Sequence, residues 1–424
     1  MRFYIRTFGC ALNKADSLLI QEILQKHGHI PVKSPEDADV VIVNTCTVRQ
    51  PVEHRVLAYL QKLRQLGNQR VIIAGCMPRV QSKLLRKVFP EAILLPWNAS
   101  EHILEAISAP KGSFIEGVRS NRIPLLHQDG RAFLPIAYGC VGECSFCIVR
   151  LARGSLRSFP PETIVDAVRC LTERGAFEIY LTAQDTGAYG LDVGYTLPEL
   201  LEQICSIDRD FVVRIGMMNP NHLIRFIDDL LQIFRKYPNK LYRFLHIPLQ
   251  SGSNQILKKM NRQYTAEEWL SLIERIRCAF PDMSIATDII VGFPGETEED
   301  FRATVSILQK AKPDIVNVAK FTPRPGTPAA KLKQLPSQVV KERSRVLSKL
   351  VRRICLERNV LYEGIIVNAL ITGAAPFGGM EGRTRNYKPV ILPDWTRSYQ
   401  GQWVRVLIER VSPFALYGKP VRTD

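Results

Sequence analysis

Cys140, Cys144 and Cys147 fall in one short stretch, YGCVGECSFCIVR (Tyr138–Arg150), at C-x3-C-x2-C spacing, with no fourth cysteine and no histidine close by. Grouped thiolates bind zinc or iron–sulfur clusters. Structural zinc is closed by four ligands, commonly as paired C-x2-C knuckles, and this stretch supplies one such pair and a third thiol. A cubane held by four cysteines carries electrons with every iron occupied. Three cysteines leave one iron open to an outside ligand, which makes a place for chemistry. Cys10, Cys46 and Cys76 are far apart in sequence, yet each follows a β-branched run: RFYIRTF, DVVIVNT and RVIIAG.

Those runs alternate with amphipathic segments. One carries Leu18, Leu19, Ile23 and Leu24 and stops at Gly28; the next carries Val56, Leu60 and Leu63 and stops at Gly67. This rhythm predicts an α/β domain over residues 1–108, a doubly wound parallel sheet. Ligands of such sheets gather beyond the carboxyl ends of the strands, so three distant cysteines can converge there. A linker of little periodicity spans residues 109–131. Six runs then follow: FLPIAY, EIYLTA, FVVRIGM, YRFLHIPLQ, SIATDIIVGF and IVNVAKF, separated by predicted helices such as Glu162–Arg174. Six β/α units over residues 132–358 predict a partial relative of the eight-fold barrel, a (β/α)6 form with its site at the carboxyl ends of the strands. Cys140–Cys147 lie just past the first of them. Residues 359–424 hold the short strands GIIVNALIT, YKPVIL and QWVRVLIERV with glycine-rich joins such as FGGMEG, which predict a small OB-like β-barrel.

The net charge of +16 points to a polyanionic partner, nucleic acid being the commonest. Between Lys331 and Arg358 nine Lys or Arg outnumber two Glu. Helically spaced Val339, Val340, Val346, Leu347, Leu350, Val351 and Ile354 bury one face there. The other face is basic and offers Arg345, Lys349, Arg352 and Arg353 as phosphate contacts. Arg383, Arg385 and Lys388 form a second basic cluster in the terminal barrel. No apolar run reaches membrane-span length and the amino terminus lacks signal-peptide features, so the expectation is a cytoplasmic protein without a membrane partner, its thiols reduced. Cys170, Cys205, Cys278 and Cys355 fall at unrelated intervals and read as small buried hydrophobes.

The three-cysteine motif with Phe146 before its last cysteine, opening the loop after the first barrel strand, resembles the signature of radical S-adenosylmethionine (SAM) enzymes. FGCALNKADS, VNTCTVR and AGCMPR resemble the amino-terminal domain of methylthiotransferases. The terminal barrel is similar to a TRAM domain, so the resemblance spans the chain. It implies two [4Fe–4S] clusters. The one on Cys140, Cys144 and Cys147 chelates SAM and yields a 5′-deoxyadenosyl radical, which is the cofactor's own chemistry. The other, on Cys10, Cys46 and Cys76, carries the sulfur to be inserted. One SAM methylates that sulfur and a second supplies the radical. The segments GCVGECSFCIVRLARGSLRSFPPE, LTAQDTGAYG, RIGMMNP, FLHIPLQSGS and TDIIVGFPGET most resemble the archaeal and eukaryotic branch. That branch converts N6-threonylcarbamoyladenosine at tRNA position 37 to its 2-methylthio derivative. Sister branches act on N6-isopentenyladenosine or on an aspartate of a ribosomal protein. The implied partners are a tRNA anticodon stem-loop, an electron donor and a sulfur source. The rival from another class is a non-catalytic, zinc-stabilised RNA-binding protein.

Within that resemblance TAQD stands where radical SAM enzymes hold the methionine amino group, and it offers Gln184 and Asp185. His246, Gln250 and Ser251 near the end of the fourth strand are candidates for cofactor ribose or carboxylate, and Arg214 in the third strand and Asp288 in the fifth are further cofactor-binding candidates. Arg214, His246 and Asp288 also read as buried polar groups closing a hydrogen-bond network. Arg153 and Arg157 flank the cysteine loop and are placed to meet phosphate or a cofactor carboxylate, or simply solvent. No catalytic residue is expected beyond the cluster ligands. The Gly292–Glu296 turn before Thr297–Asp300 reads as a helix amino-terminal cap.

Overall fold

The computed structural model describes residues 1–421 except 68, 377, 394 and 396–398. The amino-terminal domain holds five parallel strands: β1 (Arg2–Thr7), β2 (Ile30–Pro31), β3 (Val40–Thr45), β4 (Arg70–Gly75) and β5 (Ile93–Pro96), in the order β2-β1-β3-β4-β5. Successive side chains of a strand point to opposite faces, and both faces are apolar. Ile42 and Ile72 pack with Leu19, Ile20 and Ile23 of the helix Ala11–Lys26. Val41, Val43 and Ile73 pack with Val56, Leu60 and Leu63 of the helix Gln50–Leu66. The sheet is doubly wound as its sequence predicts, with β2 and β5 as short edge strands that the periodicity does not reveal.

Residues 109–130 are not a loose connection. Leu125 N donates to Glu22 Oε2 (2.7 Å), Phe114 bridges to Leu94, and Arg119 is buried against Asp16. The central domain then presents β6 (Arg131–Pro135), a short antiparallel pair β7 (Ala137–Tyr138) and β8 (Arg157–Ser158), β9 (Glu178–Thr182), β10 (Val212–Ile215), β11 (Phe244–His246), β12 (Ser284–Val291) and β13 (Ile315–Lys320). Its parallel strands run β6-β9-β10 and β11-β12-β13, joined by the bridges Val213–Leu241 and Met217–His246. This is the six-stranded partial barrel, open between β6 and β13. The amino-terminal domain reaches both edges of that opening. Lys14 lies over the Phe133 ring at 4.6 Å on one side, and Arg324 Nη2 donates to Thr47 Oγ1 (3.1 Å) on the other.

The helix Ser337–Val360 packs on β13. At its start Val340 meets Gly292 past the end of β12, and at its end Arg358 meets Asp314 just before β13. Twenty-four helical residues cover ~36 Å, so the helix runs the height of the barrel. It delivers the chain to a closed five-stranded barrel: β14 (Ile366–Ala374), β15 (Met380–Thr384), β16 (Pro389–Leu392), β17 (Trp403–Val411) and β18 (Leu416–Pro420), in the order β14-β15-β16-β18-β17. β15 includes residues read from the sequence as part of a glycine-rich join, of which residue 377 lies outside the described residues.

This terminal barrel docks on the amino-terminal ends of the central strands. Tyr387, in a turn at φ +66°, sets its ring 4.8 Å from Phe244 and 4.9 Å from Tyr242, and its hydroxyl bonds that of Tyr180 (3.0 Å). The basic cluster expected at an RNA surface is largely used here, a correction to the sequence reading. Lys388 is buried, with Nζ donating to Asp314 Oδ1 (2.9 Å) and Asn359 Oδ1 (2.8 Å). Arg385 donates to Asn239 O (2.7 Å) and lies over Trp403, and Arg383 pairs with Glu381 (2.5 Å) beside Tyr387. A sequence shows where charge stands; it does not show the partner folded against it.

Candidate active site with two thiol sets

The first thiol set is presented by one loop, pinned from below. Ser145 N donates to Met260 O (3.0 Å), Ser145 Oγ to Lys259 O (2.8 Å) and Asn261 Nδ2 to Glu143 O (2.9 Å). Phe146 meets Phe293 edge-on at 6.5 Å, which anchors the residue before Cys147. Arg262 Nη1 donates to Cys144 Sγ (3.1 Å), its Nε to Tyr264 Oη (3.0 Å), and its Nη2 to Asn219 Oδ1. Gly142 N donates to Cys140 Sγ (3.2 Å). Burial pushes the Cys140 thiol up to about 11 and the Cys147 thiol up to about 12. Beside the loop lies a cavity of about 360 Å3 lined by Gly142, Cys144, Asn219, His222, Asn261 and Arg262 among others.

The second set gathers at the carboxyl ends of β1, β3 and β4. Two glycines make the approach possible. Gly9 has φ +109°, and a Cβ on it would stand 2.6 Å from Cys46 Cβ; Gly75 has φ +93°, and a Cβ there would stand 2.5 Å from Thr45 O. Neither position tolerates a side chain, in conformation or in space. Asn13, in the first turn after Cys10, is the hub. Its Nδ2 donates to Phe8 O (2.9 Å) and Thr45 O (2.8 Å), while its Oδ1 lies 3.7 Å from Cys10 Sγ and 3.9 Å from Cys76 Sγ. Arg153 Nε donates to Cys76 Sγ (3.2 Å). Burial, then the neighbouring Cys76 and Cys10, pushes the Cys46 thiol up to about 12, and burial raises Cys76 too.

Of the candidate cofactor contacts, Gln184 has a buried Oε1 without a hydrogen-bond partner among the described residues. Asp185 is already engaged: it accepts from Gly187 N (3.0 Å), Asn219 N (3.0 Å) and His222 Nδ1 (2.9 Å). It therefore shapes the cavity wall rather than offering a free acceptor. His246 Nε2 bonds Asp288 Oδ2 (2.8 Å), Asn317 Nδ2 donates to Asp288 Oδ1 (2.8 Å), and Arg49 from the amino-terminal domain lies 3.8 Å from the same carboxylate. Burial alone would raise the Asp288 carboxyl, but His246 and the other donors hold it below its ordinary value. Gln250 sits at φ +70° with its backbone paired to Asp288 and Ile290. Two candidates point elsewhere. Ser251 is buried behind the strands, its Oγ accepting from Ser253 N (3.2 Å). Arg214 lies over Phe244 (4.9 Å) and Tyr387 (5.7 Å), toward the docked terminal barrel.

This chain is 41% identical to a probable threonylcarbamoyladenosine tRNA methylthiotransferase of Pyrococcus horikoshii over 93% of its own length and 94% of that protein. The chain belongs to the radical SAM methylthiotransferase family. The namesake protein of Archaeoglobus fulgidus is 39% identical over 96% of both chains, and a tRNA-2-methylthio-N(6)-dimethylallyladenosine synthase of Thermotoga petrophila is 36% identical over 99% of this chain and 97% of that one. The radical SAM superfamily model matches residues 134–308, uncharacterized protein family UPF0004 residues 2–95 and the TRAM domain residues 360–421. The radical SAM methyltransferase TsrM of Kitasatospora setae, a solved structure, shares the fold with TM-score 0.54 at 14% identity over 78% of this chain and 76% of that one. The methylthiotransferase is an enzyme of the transferase class, and its family implies SAM and a [4Fe–4S] cluster. Among the described residues no helix is long and apolar enough to cross a membrane.

The donor sets suit such groups. Each presents three thiols and one guanidinium N–H aimed at a sulfur, buried in Arg153 and half-buried in Arg262, and Gln184 Oε1 is left for an outside donor. Among the described residues no three His, Cys, Asp or Glu close around a single ion; thiolates on the corners of a cubane stand further apart than ligands of one ion. Asn13 and Asp16 escaped the sequence reading, although their i, i+3 spacing after Cys10 puts them on one helical face. Arg262 carries no local signal, because its partners Cys144 and Asn219 are remote in sequence.

Proposed function

We propose that this methylthiotransferase converts N6-threonylcarbamoyladenosine at position 37 of tRNA to its 2-methylthio derivative. On this reading a cluster on Cys140, Cys144 and Cys147 and a second on Cys10, Cys46 and Cys76 serve different steps. The observation that carries the two-cluster reading is the presence of two three-thiol sets, each at the carboxyl ends of its own sheet, joined by the short helix Val149–Arg153. The choice of base is supported by the archaeal relatives, whose 36–41% identity extends over almost the whole chain. When bound, the clusters and SAM supply the radical and the sulfur.

The protein's own part is to bind and to orient. Arg262 and Arg153 hold one thiol of each set. Asp185 fixes the Asn219–His222 wall of the cavity. Gln184 Oε1 would offer the methionine amino group an acceptor, and His246, oriented by Asp288, would hold a ribose or carboxylate of the cofactor. The target base leaves the anticodon-loop stack to reach the thiol face, as unpaired RNA bases can. Arg345, Lys349, Arg352 and Arg353 are all exposed on one face of the middle of the Ser337–Val360 helix and supply phosphate contacts there. An electron donor and a sulfur source complete the cytoplasmic reaction.

Mass spectrometry of tRNA nucleosides from a strain lacking the gene tests the substrate. Loss of 2-methylthio-N6-threonylcarbamoyladenosine with retention of its precursor is expected. Loss of a 2-methylthio isopentenyl base would move the enzyme to the sister branch, and an unchanged tRNA with a lighter ribosomal protein would move it to the third. Colourless, zinc-rich protein after anaerobic cluster reconstitution would overturn the enzyme reading.

A further inference from the structure

Arg153 lies six residues beyond the last thiol of the barrel loop, yet its guanidinium works in the other domain. It is 2% exposed. Nε donates to Cys76 Sγ at 3.2 Å, Nη2 to Asn13 Oδ1 at 2.8 Å, and Nη2 is paired with Asp16 Oδ2 at 2.7 Å. The guanidinium is stacked 5.0 Å from the Trp97 ring, while Trp97 Nε1 donates to Ala152 O (2.6 Å) in the same short helix. A second buried guanidinium, Arg119, shares Asp16 (3.5 Å) and donates to Tyr138 Oη (2.5 Å). Nη1 of Arg153 has no partner among the described residues.

Burying a charge is costly unless it is paired and hydrogen-bonded. Here two buried guanidinium groups share Asp16, with Glu101 3.6 Å from Arg119 Nε as a further carboxylate, and the N–H that Arg153 directs at Cys76 meets a sulfur that as a thiol is only a weak acceptor. The same N–H is a strong partner for a sulfur that carries charge. We propose that Arg153 is a positioning residue for the amino-terminal thiolate cluster: by donating to Cys76 Sγ it stabilises the charge on that ligand, and it ties the retention and potential of the cluster to the contact between the two domains. The inference rests on the two-cluster reading and adds a residue outside the amino-terminal domain to that site.

The test uses the full-length chain with Cys140, Cys144 and Cys147 changed to Ala and reconstituted anaerobically, so that only the amino-terminal site is loaded. Arg153→Gln, Arg153→Lys and Asp16→Asn are compared in this background by chelator-driven iron loss and by redox-poised electron paramagnetic resonance. Arg153→Gln is expected to weaken iron retention by about 10–100-fold, as loss of an outer partner of a metal ligand does. It also lowers the midpoint potential, because the added electron loses a nearby positive charge. Asp16→Asn removes a negative charge and moves the potential the other way, while Arg153→Lys restores much of the potential. A guanidinium that only cements the domains would lower the melting temperature of the iron-free chain and leave retention and potential unmoved. That result overturns the inference, as do potentials that shift the same way in Arg153→Gln and Asp16→Asn. A parent chain that holds no iron overturns the two-cluster reading, and this inference with it.

Discussion

The barrel thiols come from one loop of a single domain, and the guanidinium that touches them, Arg262, belongs to that same domain. The amino-terminal thiols come from three strand ends scattered between residues 10 and 76, and their guanidinium, Arg153, is lent by the neighbouring domain. All three barrel thiols are half-buried and Cys144 lines a cavity, whereas Cys46 and Cys76 are buried and Cys10 is exposed. A loop beside a cavity is suited to a site that must admit and release a cofactor. A set spread over the ends of a rigid sheet, with Cys46 and Cys76 buried and Arg153 of another domain against it, is suited to a group that stays fixed to the protein and reaches solvent only on its Cys10 side.

Removing each set should therefore fail differently. Changing Cys140, Cys144 and Cys147 to Ala is expected to abolish reductive cleavage of SAM under dithionite, a complete loss read by chromatography of 5′-deoxyadenosine. Residual cleavage well above the uncatalysed rate would place radical generation elsewhere. Removing only the barrel set's partner is milder. Arg262→Gln should weaken iron retention at the barrel site by about 10–100-fold and leave amino-terminal iron intact, as chelator titration of each cysteine-deleted background would show. Equal losses at both sites would mean that the two sets are not independent.

The docked terminal barrel provides a contrast without thiols. Lys388→Met takes one partner from buried Asp314 and leaves Arg358 and Arg277 beside it, so it should cost about 1–3 kcal/mol in the stability of this interface, read as a lower melting temperature with unchanged iron content. Burial raises Asp314, but Lys388 and Arg358 outweigh it and hold its carboxyl below the ordinary carboxylate value. Its stabilisation is thus complete above the unfolded value and is lost as pH falls through the lower folded one, so the wild-type interface should weaken only in strong acid. Smallest in effect on chemistry is charge reversal at Arg345, Lys349, Arg352 and Arg353. It should weaken tRNA binding and flatten the dependence of log affinity on log salt by about 0.9 for each phosphate no longer engaged, with SAM cleavage in the absence of tRNA unchanged. An unaltered slope would take this helix off the RNA surface.

What can be seen in the sequence divides along the same lines. The barrel thiols are legible because one loop keeps its chemistry contiguous, and the amino-terminal thiols because a doubly wound sheet sends every strand end to one side. Arg153 is visible as a residue near the loop, but its partner Cys76 is not, since only the packed domains bring them together. Lys388 and Arg385 read as an RNA surface for the same reason: their partners Asp314 and Asn239 lie in other segments. β15 is hidden by its glycine-rich start, because strand propensity says little where pairing across a closed barrel decides the matter.

The division of labour between the thiol sets is tested most directly by the chain with Cys10, Cys46 and Cys76 changed to Ala. With two cubanes the reconstituted wild type should hold ~8 iron atoms and this variant ~4. The variant should still cleave SAM reductively and should form no methylthiolated tRNA. Full iron content, or methylthiolated product from this variant, would contradict a sulfur-bearing cluster in the amino-terminal domain.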